Sequence, residues 1–131
     1  MVLRTKTEWW GVVLDAPDGQ ELAQFYARLL GWQVFNGDKG GAAVAPAKDT
    51  GYYIATQTEE HYVRPVWPAA PGQPQMSMHL DIEVEDLEEA VAHAVEAGAQ
   101  VAEYQPQETV RVMLDPAGHP FCLYLDPSDL D

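Results

Sequence analysis

The sequence predicts an α+β fold built from two tandem βαβββ modules, and an internal repeat carries this prediction. VVLDAPD (residues 12–18) matches LDIEVED (residues 80–86) at an offset of 68 residues, and each segment joins a strand to the start of a helix. Each helix then ends at a glycine, and GYYIATQ (51–57) matches GHPFCLY (118–124) at an offset of 67 residues. Self-similarity at a nearly fixed offset indicates one supersecondary unit that is used twice.

The first copy, module one (residues 8–58), begins with a strand and an amphipathic helix. Asp18 and Glu21 form an Asp-x-x-Glu pattern, which is typical of a helix N-terminus. Gly31 supplies the left-handed residue that ends the helix. The apolar side chains of the helix recur at helical spacing, and they are Leu22, Phe25, Tyr26, Leu29 and Leu30. The predicted elements are a strand at 9–16, a helix at 19–30, and strands at 32–36, 41–46 and 51–58.

The second copy, module two (residues 76–126), repeats these signals with Asp86, Glu89 and Gly98. Its helix stripe comprises Leu87, Ala90, Val91, Ala94 and Val95. The predicted elements are a strand at 76–84, a helix at 86–97, and strands at 99–104, 108–114 and 120–125. Between the modules lies a proline-rich connector (residues 59–75), which cannot join the interior of a sheet. We therefore expect residues 1–131 to form a single domain.

Composition and charge narrow the classes of partner. The chain has 131 residues, 21 acidic against seven basic side chains, and a net charge of −14. Such a surface repels phosphate backbones and anionic lipid, so we expect no nucleic-acid or membrane partner. Most of the charge fits a solvated surface, although a cationic ligand would also be attracted to it. A single cysteine, Cys122, and no signal-peptide pattern favour a cytoplasmic protein.

Several segments together resemble a known family. The paired modules, HLDIEVEDLEEA (79–90), LGW (30–32) and DPAGHPFCL (115–123) are similar to the glyoxalase/bleomycin-resistance/extradiol-dioxygenase, or vicinal oxygen chelate, superfamily. The glyoxalase-like domain branch, common in bacteria, is the nearer resemblance. It implies one cup-shaped, barrel-like sheet with a helix packed outside each module, and a homodimer. The superfamily contains isomerases, dioxygenases, transferases and drug-binding proteins, so the resemblance alone fixes no activity.

Strand alternation sorts side chains between the helix and the cup. The apolar row in the strand at 76–84 is predicted to pack on the helix, as are Trp10, Val12, Leu14 and Ala16 in the first strand. The helix-facing row comprises Met78, Leu80, Ile82 and Val84. The residues predicted to face the cup are Gly11, Val13, Asp15, Tyr53, Ala55, Gln57, Ser77, His79, Asp81, Glu83, Cys122 and Tyr124.

The resemblance also implies where a metal would bind. Metal-dependent relatives carry one ligand on the first and one on the fourth strand of each module, and these positions here are Gly11, Ala55, His79 and Cys122. Two of them have no donor side chain, so we predict no cofactor and no metal at the inherited site. A zinc site formed by His79, Asp81 and Cys122 is the alternative. Otherwise His79 and Asp81 bond each other or the backbone.

We predict a small-molecule-binding protein that holds a compact, cationic aromatic ligand in the cup. Carboxylates at Asp15, Asp81 and Glu83 suit a cation, and aromatic groups suit a flat ligand. The predicted ligand-binding residues are Tyr53, Gln57, Trp67, His79, Asp81, Cys122 and Tyr124.

Two alternatives stay open. One is an enzyme of lyase, isomerase or dioxygenase type, either metal-dependent or with His79 as a general base oriented by Asp81. The other is an interaction module with a vestigial cup.

Seven further positions are interpreted individually. Trp67 in the connector either covers the cup as a lid or pins the connector to the fold. Trp9, Trp10 and Trp32 are interpreted as structural, with Trp9 lining the cup if the first strand begins there. His119 is interpreted as a rim or turn residue, His93 is expected to be exposed, and His61 lies in the connector.

Overall fold

Two copies of one element order make up the molecule. The computed structural model describes residues 2–130, and the chain divides after Tyr62 into two compact units. Each unit has the order strand, helix, three strands, which confirms the predicted α+β class and the repeat.

The sheet of module one has its first strand at one edge. β1 pairs in parallel with β4, β4 pairs antiparallel with β3, and β3 pairs antiparallel with β2, so the sheet order is β1-β4-β3-β2. The parallel β1–β4 pair is possible because α1 and two further strands separate them in sequence. The elements are β1 (Trp10–Ala16), α1 (Gly19–Leu30), β2 (Gln33–Asp38), β3 (Gly41–Ala45) and β4 (Tyr52–Thr58).

Module two repeats this topology with shorter edge strands. Its sheet order is β5-β8-β7-β6, with β5 parallel to β8. Among the described residues the strands form two four-stranded sheets, which are not closed into a barrel. The elements are β5 (Leu80–Glu83), α2 (Leu87–Ala97), β6 (Gln100–Val101), β7 (Val110–Leu114) and β8 (Pro120–Tyr124), followed by a short 3₁₀ helix (Pro127–Leu130).

Both helices begin and end where the capping residues predict. The Asp18 carboxylate accepts hydrogen bonds from the backbone N–H groups of Gln20 and Glu21, and Asp86 accepts one from Glu89. The glycines that follow the helices have φ angles of 69° at Gly31 and 125° at Gly98. These conformations are costly for any residue with a Cβ, which explains glycine at both ends.

Each module has its own core between helix and sheet. In module one, Leu22, Phe25 and Tyr26 of α1 are buried together with Val44 of β3. The buried Thr56 hydroxyl donates to the Gly19 carbonyl oxygen at 2.5 Å and accepts from the Ala42 N–H at 3.2 Å, which ties the start of α1 to the sheet. In module two the buried side chains include Ala94, Met113, Phe121 and Leu123.

Three residues predicted to pack in the core are exposed. Trp10 is 67% exposed at the first position of the edge strand β1, and Met78 is 76% exposed because β5 begins only at Leu80. Val95 is 48% exposed, since the buried residues of α2 are Ala94 and Ala97, one turn apart. The predicted positions of these three side chains were therefore wrong, although the rest of each row is at least partly buried.

The second half of the connector is fixed to module two. Within the connector, the Val66 N–H donates to the Pro74 carbonyl oxygen. The Arg64 side chain lies against Gly118 of module two, where a Cβ added to the glycine would be 2.4 Å from it. The Trp67 indole N–H donates to the Tyr104 carbonyl oxygen at 3.2 Å. Within residues 2–130, no helix has the length and apolar character that a membrane span requires.

Candidate functional site

A donor cluster lies on the sheet of module two. Asp81 on β5 is the register partner of Cys122 on β8, and His79 lies just before β5. His79 Nε2 lies 3.1 Å from Asp81 Oδ1, which is the hydrogen-bonded pair that strand alternation predicts. One nitrogen, one oxygen and the sulfur of these residues all lie within 4.8 Å of one another. We call His79, Asp81 and Cys122 the donor triad.

The cysteine of the donor triad is a poor nucleophile. Burial, followed by the charge of Asp81 and a hydrogen bond to it, raises the pKa of Cys122 from 9.0 to about 11. Near neutral pH the group is therefore a thiol, and the thiolate is the form that attacks electrophiles or binds metals. A metal ion that bound there would have to displace the thiol proton.

The four-position metal site that the resemblance implies does not fit this chain. Gly11 and Ala55 offer no donor atom. A Cβ at Gly11 would lie 2.5 Å from the ring of Tyr53, so that ring already fills the space a ligand side chain would need. Of the four positions, only His79 and Cys122 carry donors, one fewer than the three protein ligands usual for a catalytic zinc site.

A separate cavity of about 450 Å³ lies in module one. Three aromatic side chains, Trp9, Phe35 and Tyr53, contribute to its wall. The rings of Trp9 and Tyr53 have their centroids 6.4 Å apart at an interplanar angle of 35°. The other lining residues that the structure describes are Asn36, Ala43, Ala45, Ala47 and Lys48. We call this space the aromatic cavity.

Strand pairing explains why the aromatic cavity is open. Phe35 of β2 pairs with Ala43 of β3, and Ala43 pairs with Ala55 of β4, so these side chains share one face of the sheet. Alanine is too short to fill the space between Phe35 and Tyr53. The bulge between Phe35 and Asp38 places Asn36 at φ 56°, a left-handed conformation that asparagine tolerates better than most residues.

The remaining residues predicted to bind ligand lie on different elements of the two modules. Gln57 does not line the aromatic cavity, and its side-chain amide donates to Asp15 at 2.8 Å. Tyr124 is half-buried on β8, two residues from Cys122. Trp67 lies beside β6 and lines a second cavity of about 660 Å³ with Val95 and other residues of module two. The donor triad is on β5 and β8, at the other edge of that sheet.

His119 has a structural role in the turn between β7 and β8. Asp115 is 1% exposed, and its carboxylate accepts hydrogen bonds from the N–H groups of Ala117 and His119. The His119 ring nitrogen Nδ1 lies 2.8 Å from Asp115 Oδ2. The pair holds the turn closed, in agreement with the interpretation of His119 as a turn residue. His93 is exposed, as predicted, and His61 in the connector is exposed as well.

Sequence reasoning missed part of the aromatic cavity. Trp9 was assigned to the cup only as an alternative, and Phe35, Asn36 and Lys48 were not singled out. Alternation within the strand at 32–36 could have placed Phe35 on the inner face, because its apolar neighbour Val34 points the other way and packs against the core cluster that includes Ala23 of α1. Lys48 lies in the loop between β3 and β4, where no periodic pattern indicates the direction of a side chain.

Comparisons with known proteins agree with the modular fold. The family model for the glyoxalase-like domain matches residues 11–124. A glyoxalase/bleomycin resistance protein/dioxygenase family enzyme from Burkholderia phytofirmans shares 17% identity, with a TM-score of 0.64 over 88% of this chain and 95% of that one. A glyoxalase-related enzyme from Fulvimarina pelagi shares 21% identity, with a TM-score of 0.63 over 89% and 86%.

A third solved structure covers nearly the whole chain. A hypothetical protein from S. aureus shares 17% identity, with a TM-score of 0.64 over 96% of this chain and 95% of that one. No functionally curated protein matches at a significant level. The structural likenesses concern the fold, whereas the family model covers most of the sequence. The chain therefore belongs to the glyoxalase-like domain family.

Proposed function

We propose that this protein binds a compact, flat small molecule in the aromatic cavity, with no metal at the four inherited positions. The observation that carries the proposal is the cavity wall, in which Trp9, Phe35 and Tyr53 surround a floor of alanines. Its volume of about 450 Å³ falls within the range of small-molecule sites. An aromatic wall around a preformed space is the usual arrangement for holding a planar apolar group.

Stacking would supply much of the binding free energy. An aromatic pair in an offset or tilted geometry contributes about 0.5–1.5 kcal/mol beyond the area that it buries. Of the carboxylates that led us to predict a cationic ligand, Asp15 is in the same module as this cavity and does not line its wall. Asp15 accepts from Gln57, Asp81 bonds His79, and Glu83 is exposed. The cavity is therefore proposed to select first by shape and ring stacking.

Amide and indole NMR spectra test the location of binding. A panel of bicyclic aromatic compounds, neutral and charged, is titrated into uniformly labelled protein. We expect chemical-shift changes at the Trp9 indole and at the backbone amides of Ala43, Ala45 and Tyr53. Shifts confined to module two, or no shift with any compound at millimolar concentration, would refute it.

A matched pair of tryptophan variants distinguishes the loss of a ligand contact from a general destabilisation of the fold. Trp9→Leu removes an aromatic wall, and binding should weaken by about tenfold, the effect of losing one stacking partner and its buried area. Trp10→Leu changes the next residue, which is 67% exposed and does not line the cavity, so binding should stay unchanged. Equal affinities of the two variants would count against the aromatic cavity as the site.

A metal-dependent or His-assisted enzyme is the second candidate, and the donor triad supports it. His79, Asp81 and Cys122 offer a nitrogen, an oxygen and a sulfur within 4.8 Å. Three such ligands suit zinc, which would supply a Lewis acid for an oxygen-bearing substrate. Without a metal, the carboxylate of Asp81 orients the imidazole of His79 as a proton acceptor.

Metal content and cobalt spectroscopy test this second candidate. Protein prepared without chelator or affinity tag should contain about one zinc per chain, and His79→Ala should lose it while His61→Ala keeps it. Cobalt-loaded protein should show a thiolate-to-cobalt charge-transfer band that Cys122→Ser abolishes. Protein that stays metal-free after incubation with divalent ions would remove the metalloenzyme from consideration.

A further inference from the structure

The wall of the aromatic cavity carries charge of one sign only. Of the lining residues that the structure describes, Lys48 is the one with a formal charge, and none is acidic. This is unexpected in a chain with 21 acidic and seven basic residues. The neighbouring Asp49 does not line the cavity. The formal charge of the wall is therefore opposite in sign to the net charge of the molecule.

The Lys48 ammonium is available to a ligand. Within residues 2–130 the structure gives it no ion pair with a carboxylate, and the side chain is exposed at the cavity. Asn36 adds a primary amide to the wall, at the β-bulge of β2. A lysine and a primary amide beside aromatic rings can together donate hydrogen bonds to a carboxylate.

We propose that the aromatic cavity selects planar aromatic carboxylates. The ring lies against Trp9 and Tyr53, and the carboxylate pairs with the Lys48 ammonium and accepts from the Asn36 amide. This inference rests on the proposed binding function and adds the charge of the ligand to it. It replaces, for this cavity, the cationic ligand that the sequence suggested.

The net charge of the molecule does not override this contact. At physiological ionic strength exposed charges more than about 8 Å apart are largely screened, whereas a contact pair at a cavity wall is screened much less. Asp15, the carboxylate of module one that was predicted to face the cup, is absent from the wall. An anionic ligand therefore gains a direct contact at short range and meets weak repulsion at long range.

Three probes with one ring system test the charge preference by calorimetry and NMR. Naphthoate, naphthol and naphthylmethylamine carry an anionic, a neutral and a cationic group on the same bicyclic ring. We expect naphthoate to bind about five- to twentyfold more tightly than naphthol, the strength of a charge-assisted hydrogen bond at a partly exposed site. Naphthylmethylamine should bind most weakly.

Variants of two lysines assign the preference to one side chain. Lys48→Met should reduce naphthoate affinity to that of naphthol and leave naphthol unchanged. Lys39→Met is the matched control, since Lys39 is exposed but does not line the aromatic cavity, and it should keep the preference. Asn36→Gly retains the left-handed backbone and should weaken naphthoate binding by severalfold.

The outcomes separate this inference from the proposed function. Naphthol binding as tightly as naphthoate, or a preference that persists in Lys48→Met, would overturn the carboxylate assignment and leave binding in the aromatic cavity intact. If none of the three probes changed the NMR chemical shifts of module one, both the carboxylate assignment and binding in the aromatic cavity would be overturned.

Discussion

Gly11 and Tyr53 are register partners on β1 and β4, and the tyrosine ring covers the glycine. A glycine on an edge strand leaves the backbone exposed, and an aromatic ring from the neighbouring strand can shield it. The same ring forms part of the wall of the aromatic cavity. The absence of a side chain at Gly11 therefore explains both the loss of one metal-ligand position and the position of Tyr53.

Gly11→Ala should displace this ring. The new Cβ would lie 2.5 Å from the Tyr53 ring, and we expect a loss of about 1–3 kcal/mol in the free energy of unfolding, as overpacking usually costs. Chemical denaturation measures the loss. Gly37→Ala is the control, because its Cβ meets only Ala42 at 3.8 Å. In a Tyr53→Ala background the penalty should largely disappear, and an undiminished penalty there would contradict the steric explanation.

Cys122 should react slowly with alkylating reagents until the pH is high. Its pKa is raised to about 11 by burial and by Asp81, so the alkylation rate should reach half its maximum near pH 11. Asp81→Asn removes a negative charge and should lower that midpoint. Because the chain has one cysteine, all thiol alkylation reports this residue. A midpoint that Asp81→Asn leaves unmoved would contradict the role of that carboxylate.

The same pKa shift affects stability, with a definite sign. The folded thiol keeps its proton to about pH 11, whereas the unfolded thiol loses it near 9.0. The unfolded state therefore releases the proton first, and this contribution to stability is present below pH 9.0 and lost as the pH rises to about 11. The difference in unfolding free energy between wild type and Cys122→Ser isolates this contribution from that of other groups.

At the scale of elements, the helix caps should differ in strength. Asp18 accepts from two backbone N–H groups and Asp86 from one. Asp18→Ala and Asp86→Ala should each lower stability by about 0.5–2 kcal/mol, with the larger loss at Asp18. Asp49→Ala, in a loop, removes the same charge without a cap. Urea titrations that gave all three variants the same stability would argue against capping as the cause.

These caps also show why the helices were predictable and some strands were not. Cap and stop residues act within a few positions of the chain, so both helices lie within one residue of their predicted bounds. β6 was predicted at 99–104 but ends at Val101. Beyond it, the Gln105 side chain bonds the N–H and carbonyl groups of Val112 at 2.8 Å, which replaces strand pairing. A side chain acting across seven residues leaves no periodic signal.

β5 illustrates the same limit. It was predicted at 76–84 and begins at Leu80, opposite Phe121. The residue before Phe121 is Pro120, which has no N–H to extend the parallel pairing. The donor triad was predictable because alternation places His79 and Asp81 on one face of their strand and assigns Cys122 to the inner face of the last strand. The aromatic cavity was only partly predictable, because its polar end depends on a bulge at Asn36 and on a loop at Lys48.

At the scale of the whole molecule, one repeated scaffold presents two different surfaces. At equivalent inner positions, module one has Gly11 and Ala55 where module two has His79 and Cys122. The small residues of module one let an aromatic ring and a cavity form, whereas the larger residues of module two bring donor atoms together. The fold fixes where these positions lie, and side-chain size decides which chemistry each module can offer.

The net charge of −14 should make stability depend on salt. Self-repulsion disfavours the compact state, and raising sodium chloride from about 10 to 100 mM shortens the screening length from roughly 30 to 10 Å. We therefore expect the melting temperature to rise by a few degrees over this range, as measured by calorimetry.

Charge variants separate self-repulsion from specific salt binding. One variant replaces four exposed glutamates by glutamine and so removes four negative charges. Its melting temperature at low salt should be higher than that of the wild type and should depend less on salt. The four positions are Glu60, Glu96, Glu103 and Glu108. Glutamine at the exposed Lys6 and Lys39 removes two positive charges and should strengthen the dependence. The two variants shift the net charge in opposite directions, so a salt response caused by long-range repulsion should weaken in the first variant and strengthen in the second. If both variants kept the wild-type salt response, the response would reflect ion binding at particular sites.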